Sequence, residues 1–379
     1  MLKGIAWQHT RAMAPLHALS EVWRDLRGQS IVTWDSRSLK AFAETPLDEY
    51  PDYDLIIFDY PFAGEALDEG WVIGMETLLD PQVIEARRQG CVGRTLASFE
   101  WQGGIAALPI DAATHVCAWR EDLSPVLPSN WAETIALARS TGKVVMPMTP
   151  TAIWGALITL CAHRGAPPMH PQAETAFNRD IAVAALADIA ALAVELPSWC
   201  FTASPVAVLN RMSMTDDFGY CPLTYGYSVY AMQGYAQHPL RFGDIRIDAG
   251  QSPNGAILGG AGIGVLAGSQ NPQAAAQLAA WLTSDSIQGQ LYPQFGGQPA
   301  ARAGWTNPVQ DALAGGFYAD TLATMTNCYH RPNLPGFHAF QTQSANALHA
   351  MVQQRSPAEM VLDKIDAEWQ RLIQTVGNV

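Results

Sequence analysis

Residues 53–70 read YDLIIFDYPFAGEALDEG, and the order of residue types within this stretch decides the fold class. YDLIIF, at 53–58, is a continuous apolar run with β-branched residues, the pattern of a parallel strand covered on both faces. An acid, Asp59, closes the run, and PFAGEALDEG then reads as a helix ending near Gly70. Strand followed by helix is the repeating unit of a doubly wound α/β sheet.

The same alternation extends outward in both directions. Upstream, LKGIAW at 2–7 reads as a strand, 8–11 as a polar turn, and the spacing of Leu16, Leu19, Val22, Trp23 and Leu26 as a helix. A second strand is expected at 30–34. Downstream, apolar segments at 103–109 and 116–119 bracket a polar knot, DAATH at 111–115, which suggests a crossing between two lobes. The middle of the chain reads as helices at 131–140, 152–163 and 181–196, with a strand at 143–146 and a tyrosine-rich stretch at 220–230. GAILGGAGIGVLA at 255–267 is a glycine-punctuated strand, and 271–283 is a helix with Asn271 as expected N-cap and Pro272 behind it. An amphipathic helix at 358–376 closes the chain.

Bulk properties narrow the function. A chain of 379 residues, 49% hydrophobic and 15% charged, can bury two cores. Its net charge of -13 opposes nucleic acid, and no cluster of Lys and Arg reverses that locally. The longest apolar stretch, 181–196, is Ala-rich and interrupted by Asp188, which reads as a packed helix and not a bilayer span, so no membrane insertion is expected. MLKGIAWQHTRAMAPL at 1–16 lacks the features of a secretory leader. Six dispersed cysteines form no CxxC pair and no zinc-like spacing, so reduced thiols, no metal and no cofactor are expected. These two readings point to the cytoplasm if the sequence is complete, and to the periplasm if a leader has been removed.

The order of elements resembles the bacterial extracellular solute-binding proteins of family 1, the maltose-binding-like group that serves ATP-driven importers. Three stretches carry the resemblance: 53–70, then GIAALPIDAATHVCAWREDL at 104–123, then GGAGIGVLAGSQNPQAAAQLAAWLTSD at 259–285. The resemblance implies a two-lobed α/β protein of the type II periplasmic-binding-protein fold, each lobe a doubly wound, mostly parallel sheet flanked by helices. One lobe would combine 1–110 with 255–305, the other 115–250 with 310–379. Hinge crossings would lie near 111–115, 248–257 and 306–318. The resemblance also implies a ligand cleft between the lobes, with an ABC-transporter permease as partner if the protein is exported.

Ligands of open α/β sheets bind beyond the carboxyl ends of strands, which selects candidate residues directly. After the first strand stand Trp7, His9 and Arg11; after YDLIIF stand Asp59 and Tyr60; at the crossing stand Asp111 and Thr114. The second lobe offers Trp154 and, within CPLTYGYSVY at 221–230, Tyr225 and Tyr227. Gly259 and Gly260 would let backbone approach a ligand, and Gln298 stands in a glycine loop. Arg331, in YHRPNLPGF, reads as a surface residue. Aromatic faces with carboxylates and amides suit a small polar molecule: a sugar or polyol first, or a quaternary-ammonium compound held by cation–π attraction.

An enzyme on the same fold, or a cytoplasmic ligand sensor, is the alternative. An enzyme needs a nucleophile and a base. Cys200, in LPSWCFTASP at 196–205, reads as the thiol least embedded in a core element, with Asp111 or His9 as base. Thiaminase-like proteins of this fold carry their cysteine just after the crossover proline, where this chain has PIDAAT. No GxSxG, P-loop, HExxH or strand-to-helix GxGxxG is present.

Overall fold

The computed structural model describes residues 1–27 and 32–377. Ser30 and Ile31, the start of the expected second strand, lie outside the described residues; the strand runs from Val32 to Arg37. In the first lobe, β1 (Leu2–Trp7) pairs in parallel with β2 (Val32–Arg37) on one side and with β3 (Leu55–Phe58) on the other. All of β3 is buried, as its unbroken apolar run requires. Short strands β4 (Val72–Ile73), β5 (Glu100–Trp101) and β6 (Gly104–Ile105) precede β7 (Leu108–Trp119). They are followed by β8 (Tyr220–Tyr225), β9 (Arg241–Gly243) and β10 (Leu258–Leu266).

The sheets are mixed, which corrects the mostly parallel expectation. Strand β10 lies antiparallel between β3 and β7, and β8 and β9 both run antiparallel to β7. The expected strand at 143–146 contributes only a single parallel bridge, Val144 to Tyr220. The polar knot at 111–115 is not a break. It lies inside the twelve-residue β7, whose first half pairs with β10 and whose second half pairs with β8 and β9, so one strand runs through both lobes. A polar run can occupy a buried strand because each group finds a partner: Asp111 meets Arg11, Thr114 bonds the Ile257 carbonyl, and His115 meets Thr159.

Local chemistry sets the helix ends. The Asn130 side chain accepts from Glu133 N, Glu133 reaches back to Ser129 N, and Gly142, at φ 63°, closes the helix Trp131–Thr141 in the left-handed conformation. Asn271 precedes Pro272–Leu282 as expected, but its side chain makes no capping hydrogen bond. In the second lobe the helix Pro150–His163 is buried from Ile153 to His163, enclosed by the helices Arg179–Glu195 and Phe337–Gln354. That enclosure fixes where its N-terminus points.

Apolar residues gather in two clusters. One joins Leu2, Leu16, Leu55, Ile57, Ile263 and Leu278; the other joins Trp131, Leu157, Ile189, Leu348 and Trp369. Among the described residues, no helix is long and apolar enough to cross a membrane.

Candidate functional site

Between the lobes lies a cavity of about 470 Å³, within the range of small-molecule sites. The first lobe contributes Trp7 and Arg11, the helix Leu39–Glu44, and Asp59 with Phe62. Its floor is Asp111, Ala113 and His115 of β7 with Gly259 and Gly260 of β10. The second lobe contributes the N-terminus of Pro150–His163 up to Trp154, then Tyr225, Tyr227, Arg331, His338 and Gln341. The first turn of a helix leaves N–H groups without an intrahelical acceptor, so Thr151 and Ala152 bring backbone donors to the wall.

Arg11 and Asp111 form a buried, bidentate ion pair. Nε donates to Oδ2 at 2.8 Å and Nη2 to Oδ1, while Nη1 donates to the Gly226 carbonyl at 2.9 Å. The guanidinium lies 4.5 Å from the centre of the Tyr227 ring. Burial alone would lower the arginine pKa, but the adjacent carboxylate outweighs it and keeps Arg11 charged. Gln298, which is 0% exposed and off the cavity wall, supports this corner from behind. Its Oε1 accepts from Ser228 N at 2.9 Å, and Nε2 donates to the carbonyls of Ala112 and Gly226.

A second pair, Asp59 and Arg331, is built differently. Arg331, expected at the surface, is only 4% exposed and lines the cavity. Its Nε donates to the Tyr60 hydroxyl at 2.7 Å and its Nη1 to Gln341 Oε1 at 2.6 Å, which also accepts from Trp154 Nε1 at 3.2 Å. Its Nη2 stands 3.6 Å from Asp59 Oδ1, too far for a hydrogen bond. Neither atom has a hydrogen-bond partner among the described residues. Burial raises the Asp59 carboxyl above its ordinary pKa, with Arg331 opposing; burial also pushes the Tyr60 phenol up to about 12.

The remaining candidates divide between wall and brace. Trp7, Trp154, Tyr225 and Tyr227 line the cavity. Gly259 and Gly260 also line it, but what approaches them is the chain itself. A Cβ on Gly259 would lie 2.5 Å from the Tyr225 ring, and one on Gly260, at φ 117°, would lie 2.3 Å from the Asp111 carbonyl. The pairing of β10 with β7 shifts register next to Gly260, between Ala261 and Gly262. His9, Tyr60, Thr114 and Gln298 are not on the wall. His9 Nδ1 accepts from Arg11 N, its ring packs edge-on against Tyr227, and burial with Arg11 nearby lowers its pKa to about 4. Thr114 and Tyr60 hold the backbone at Ile257 and Leu258.

Three further wall residues, His115, His338 and Gln341, are not among the sequence candidates, although His115 ends the polar knot at 111–115. His115 sets its ring 4.7 Å from Tyr225 with Nδ1 3.0 Å from Thr159 Oγ1, and burial lowers its pKa to about 3, so the imidazole is neutral. His338 stacks on Phe62 at 4.2 Å, and its Nε2 donates to the Ala43 carbonyl at 2.7 Å, joining the lobes across the cavity. Gln341 lies in a helix interior, where nothing local distinguishes it.

The enzyme alternative loses its nucleophile to burial. Cys200 is 0% exposed in the short helix Ser198–Thr202, lies off the cavity wall, and burial pushes its thiol up to about 11. Asp111 is held by Arg11, and a carboxylate committed to two guanidinium bonds is a poor base. Among the described residues one group of metal-type donors comes together, Asp122, Asp216 and His238, but Arg120 Nη2 already binds both carboxylates.

The fold has close structural counterparts. The maltose-bound MalE3 of T. maritima superposes with a TM-score of 0.80 at 16% identity, covering 98% of this chain and 99% of that one. A solute-binding protein of an ABC transporter from Agrobacterium radiobacter K84, in complex with ribitol, gives 0.78 at 17% identity, with 98% of each chain covered. One from Thermotoga lettingae TMO, with alpha-D-tagatose, gives 0.82 at 13% identity, with 98% and 99% covered. No curated protein matches the sequence. The family described as "Bacterial extracellular solute-binding protein" matches residues 32–309, well over half of the chain. Strand order, interlobe cavity and family match agree, and the chain belongs to the bacterial extracellular solute-binding proteins.

Proposed function

We propose that the protein closes its two lobes around a small neutral polyhydroxylated molecule, a carbohydrate or related polyol, and presents it to the permease of an ABC transporter. The observation that carries this reading is the charge balance of the cavity. Its charged lining consists of Arg11 with Asp111, Arg331 with Asp59, and Lys40 with Glu44, each cation facing a carboxylate. His115 adds no charge. A site balanced in this way offers donors, acceptors and aromatic faces without a net field for an ion.

Structural relatives with maltose, ribitol and alpha-D-tagatose support the same class. The quaternary-ammonium option finds no support among them. Membership of an extracellular family likewise gives no support to a cytoplasmic location, and we place the protein outside the membrane. The lobes would hinge near the crossings at 111–115, 248–257 and 306–318, with binding energy spent partly on closure.

Thermal-shift screening tests the reading. A specific ligand stabilises by RT ln(1 + [L]/Kd), about 2.7 kcal/mol at a hundredfold excess over Kd. Neutral sugars or polyols should raise the melting temperature, and betaine-like cations should not. A shift produced only by charged ligands would overturn the proposal.

A further inference from the structure

We propose that His338 is a clasp between the lobes, a positioning residue of the second lobe that grips Phe62 and Ala43 of the first, holds the cleft closed whatever the ligand, and loosens in mild acid. Its ring stacks on Phe62 with centroids 4.2 Å apart and planes 23° apart, and its Nε2 donates to the Ala43 carbonyl at 2.7 Å. Both partners are protein groups, so the contact favours the closed arrangement without help from a bound molecule. The proposal goes beyond the polyol reading and does not rest on it.

Each lobe supplies half of the contact and keeps its half when the lobes part. Ala43 is the last residue but one of the helix Leu39–Glu44, and the final carbonyls of a helix have no intrahelical partner. An imidazole N–H from the opposite lobe fills one of them. Phe62 ends the short helix Tyr60–Phe62, which follows β3 and so is tied to the first-lobe sheet. His338 stands in the first turn of Phe337–Gln354, which packs along Pro150–His163 and Ala358–Gly377 of the second lobe. A hinge rotation therefore breaks the stack and the hydrogen bond together. Other links between the lobes are placed differently. Arg11 reaches the Gly226 carbonyl beside β7, the strand that runs through both lobes, where rotation moves atoms least. Thr10 Oγ1 meets the Tyr235 hydroxyl at 2.9 Å in an exposed position, where water competes.

The response to acid follows from the same geometry. Burial lowers the His338 pKa below its ordinary 6.5; the bond to Ala43 and the charges of Asp59 and Glu44 oppose this, and Arg331 adds to it. Lys40, on the helix of Glu44, pairs with that carboxylate at 3.8 Å. A ring freed by opening regains water and its ordinary pKa, so as pH falls through 6.5 the open arrangement takes up the proton first and gains population.

Pulsed electron paramagnetic resonance on the full chain, without ligand, tests the clasp. Spin labels are placed at Leu26→Cys on the first lobe and Val194→Cys on the second, both exposed positions. Cys91→Ser removes the one native thiol that is not buried. This parent should populate a short, closed separation at neutral pH. His338→Ala should lower the closed-to-open ratio about tenfold, the worth of one hydrogen bond and one ring contact. His338→Phe keeps a ring for Phe62 without the donor, and should lower the ratio about threefold. Acidification to about pH 5 should lower the ratio in the parent and less so in both variants. Part of the response remains with His9, which packs on Tyr227 with its pKa lowered to about 4. A parent that shows only the open separation, a ratio unchanged by His338→Ala, or an acid response equal in parent and variants overturns the clasp. A lower melting temperature with an unchanged ratio also overturns it, making His338 a packing residue and no more.

Discussion

Arg11 with Asp111 and Arg331 with Asp59 are the same two side-chain types lining one cavity, yet their hydrogen bonds are distributed in opposite ways. In the first pair the guanidinium grips both carboxylate oxygens and a backbone carbonyl, and Gln298 ties the same carbonyl to the crossing strand. In the second, the arginine is anchored to Tyr60 and Gln341, and the two atoms that face each other stay apart. A saturated pair holds the scaffold, and a half-satisfied pair leaves capacity for something else. Residue type alone does not separate these roles; hydrogen-bond bookkeeping does.

The contrast breaks most sharply under substitution of the carboxylates. Asp111→Ala strands a buried guanidinium, and loss of about 3–5 kcal/mol in urea-unfolding stability is expected. Asp59→Ala also leaves a buried guanidinium without its carboxylate, but Arg331 stays bonded to Tyr60 and Gln341 and its ion pair with Asp59 lacks hydrogen-bond geometry, so the loss should be clearly smaller than for Asp111→Ala. Equal stability losses from the two substitutions would erase the distinction between the saturated and the half-satisfied pair.

Gly260→Ala comes next. At φ 117°, with the added Cβ 2.3 Å from the Asp111 carbonyl, it strains the floor strand beside the saturated pair, and about 2 kcal/mol of destabilisation is expected. Calorimetry on the apo-protein should show it, while Gly70→Ala, at φ 65° with open space around its Cβ position, should cost only the conformational part.

How far the sequence reveals such distinctions is visible in β7. The strand-end rule leads to 111–115 as a neighbourhood, and the structure places Asp111, Ala113 and His115 on the cavity with Thr114 turned to the other side. Side chains alternate along a strand, so every second candidate is a brace; the phase of that alternation is set by which face the sheet buries. Asp59, just past the end of β3, lines the cavity, whereas Tyr60, the first residue of the short helix Tyr60–Phe62, does not. The apolar runs at 53–58 and 255–267 identify strands well, but an apolar run carries no record of its neighbour's direction, and the antiparallel placement of β10 is a property of the assembled sheet. Arg331 is read as exposed because its burial depends on Tyr60 and Gln341, one far upstream and one on the next helix.

Acidification gives the smallest and most diagnostic difference. His115 has a folded pKa of about 3 against an ordinary value of 6.5, because burial disfavours its charged form. As pH falls below 6.5 the unfolded chain takes up a proton that the native state refuses, so stability declines by on the order of 1 kcal/mol per pH unit until the folded pKa is reached. His9 and His330, both lowered to about 4, contribute with the same sign. Asp59 runs the other way: its folded pKa is raised, the native state binds its proton first, and acidification through that range favours the fold. His115→Gln should therefore flatten the decline in urea-unfolding stability between pH 6.5 and 4, and Asp59→Ala should steepen its lower end. Identical profiles for wild type and His115→Gln would mean that the imidazole on the cavity floor is not held neutral by burial.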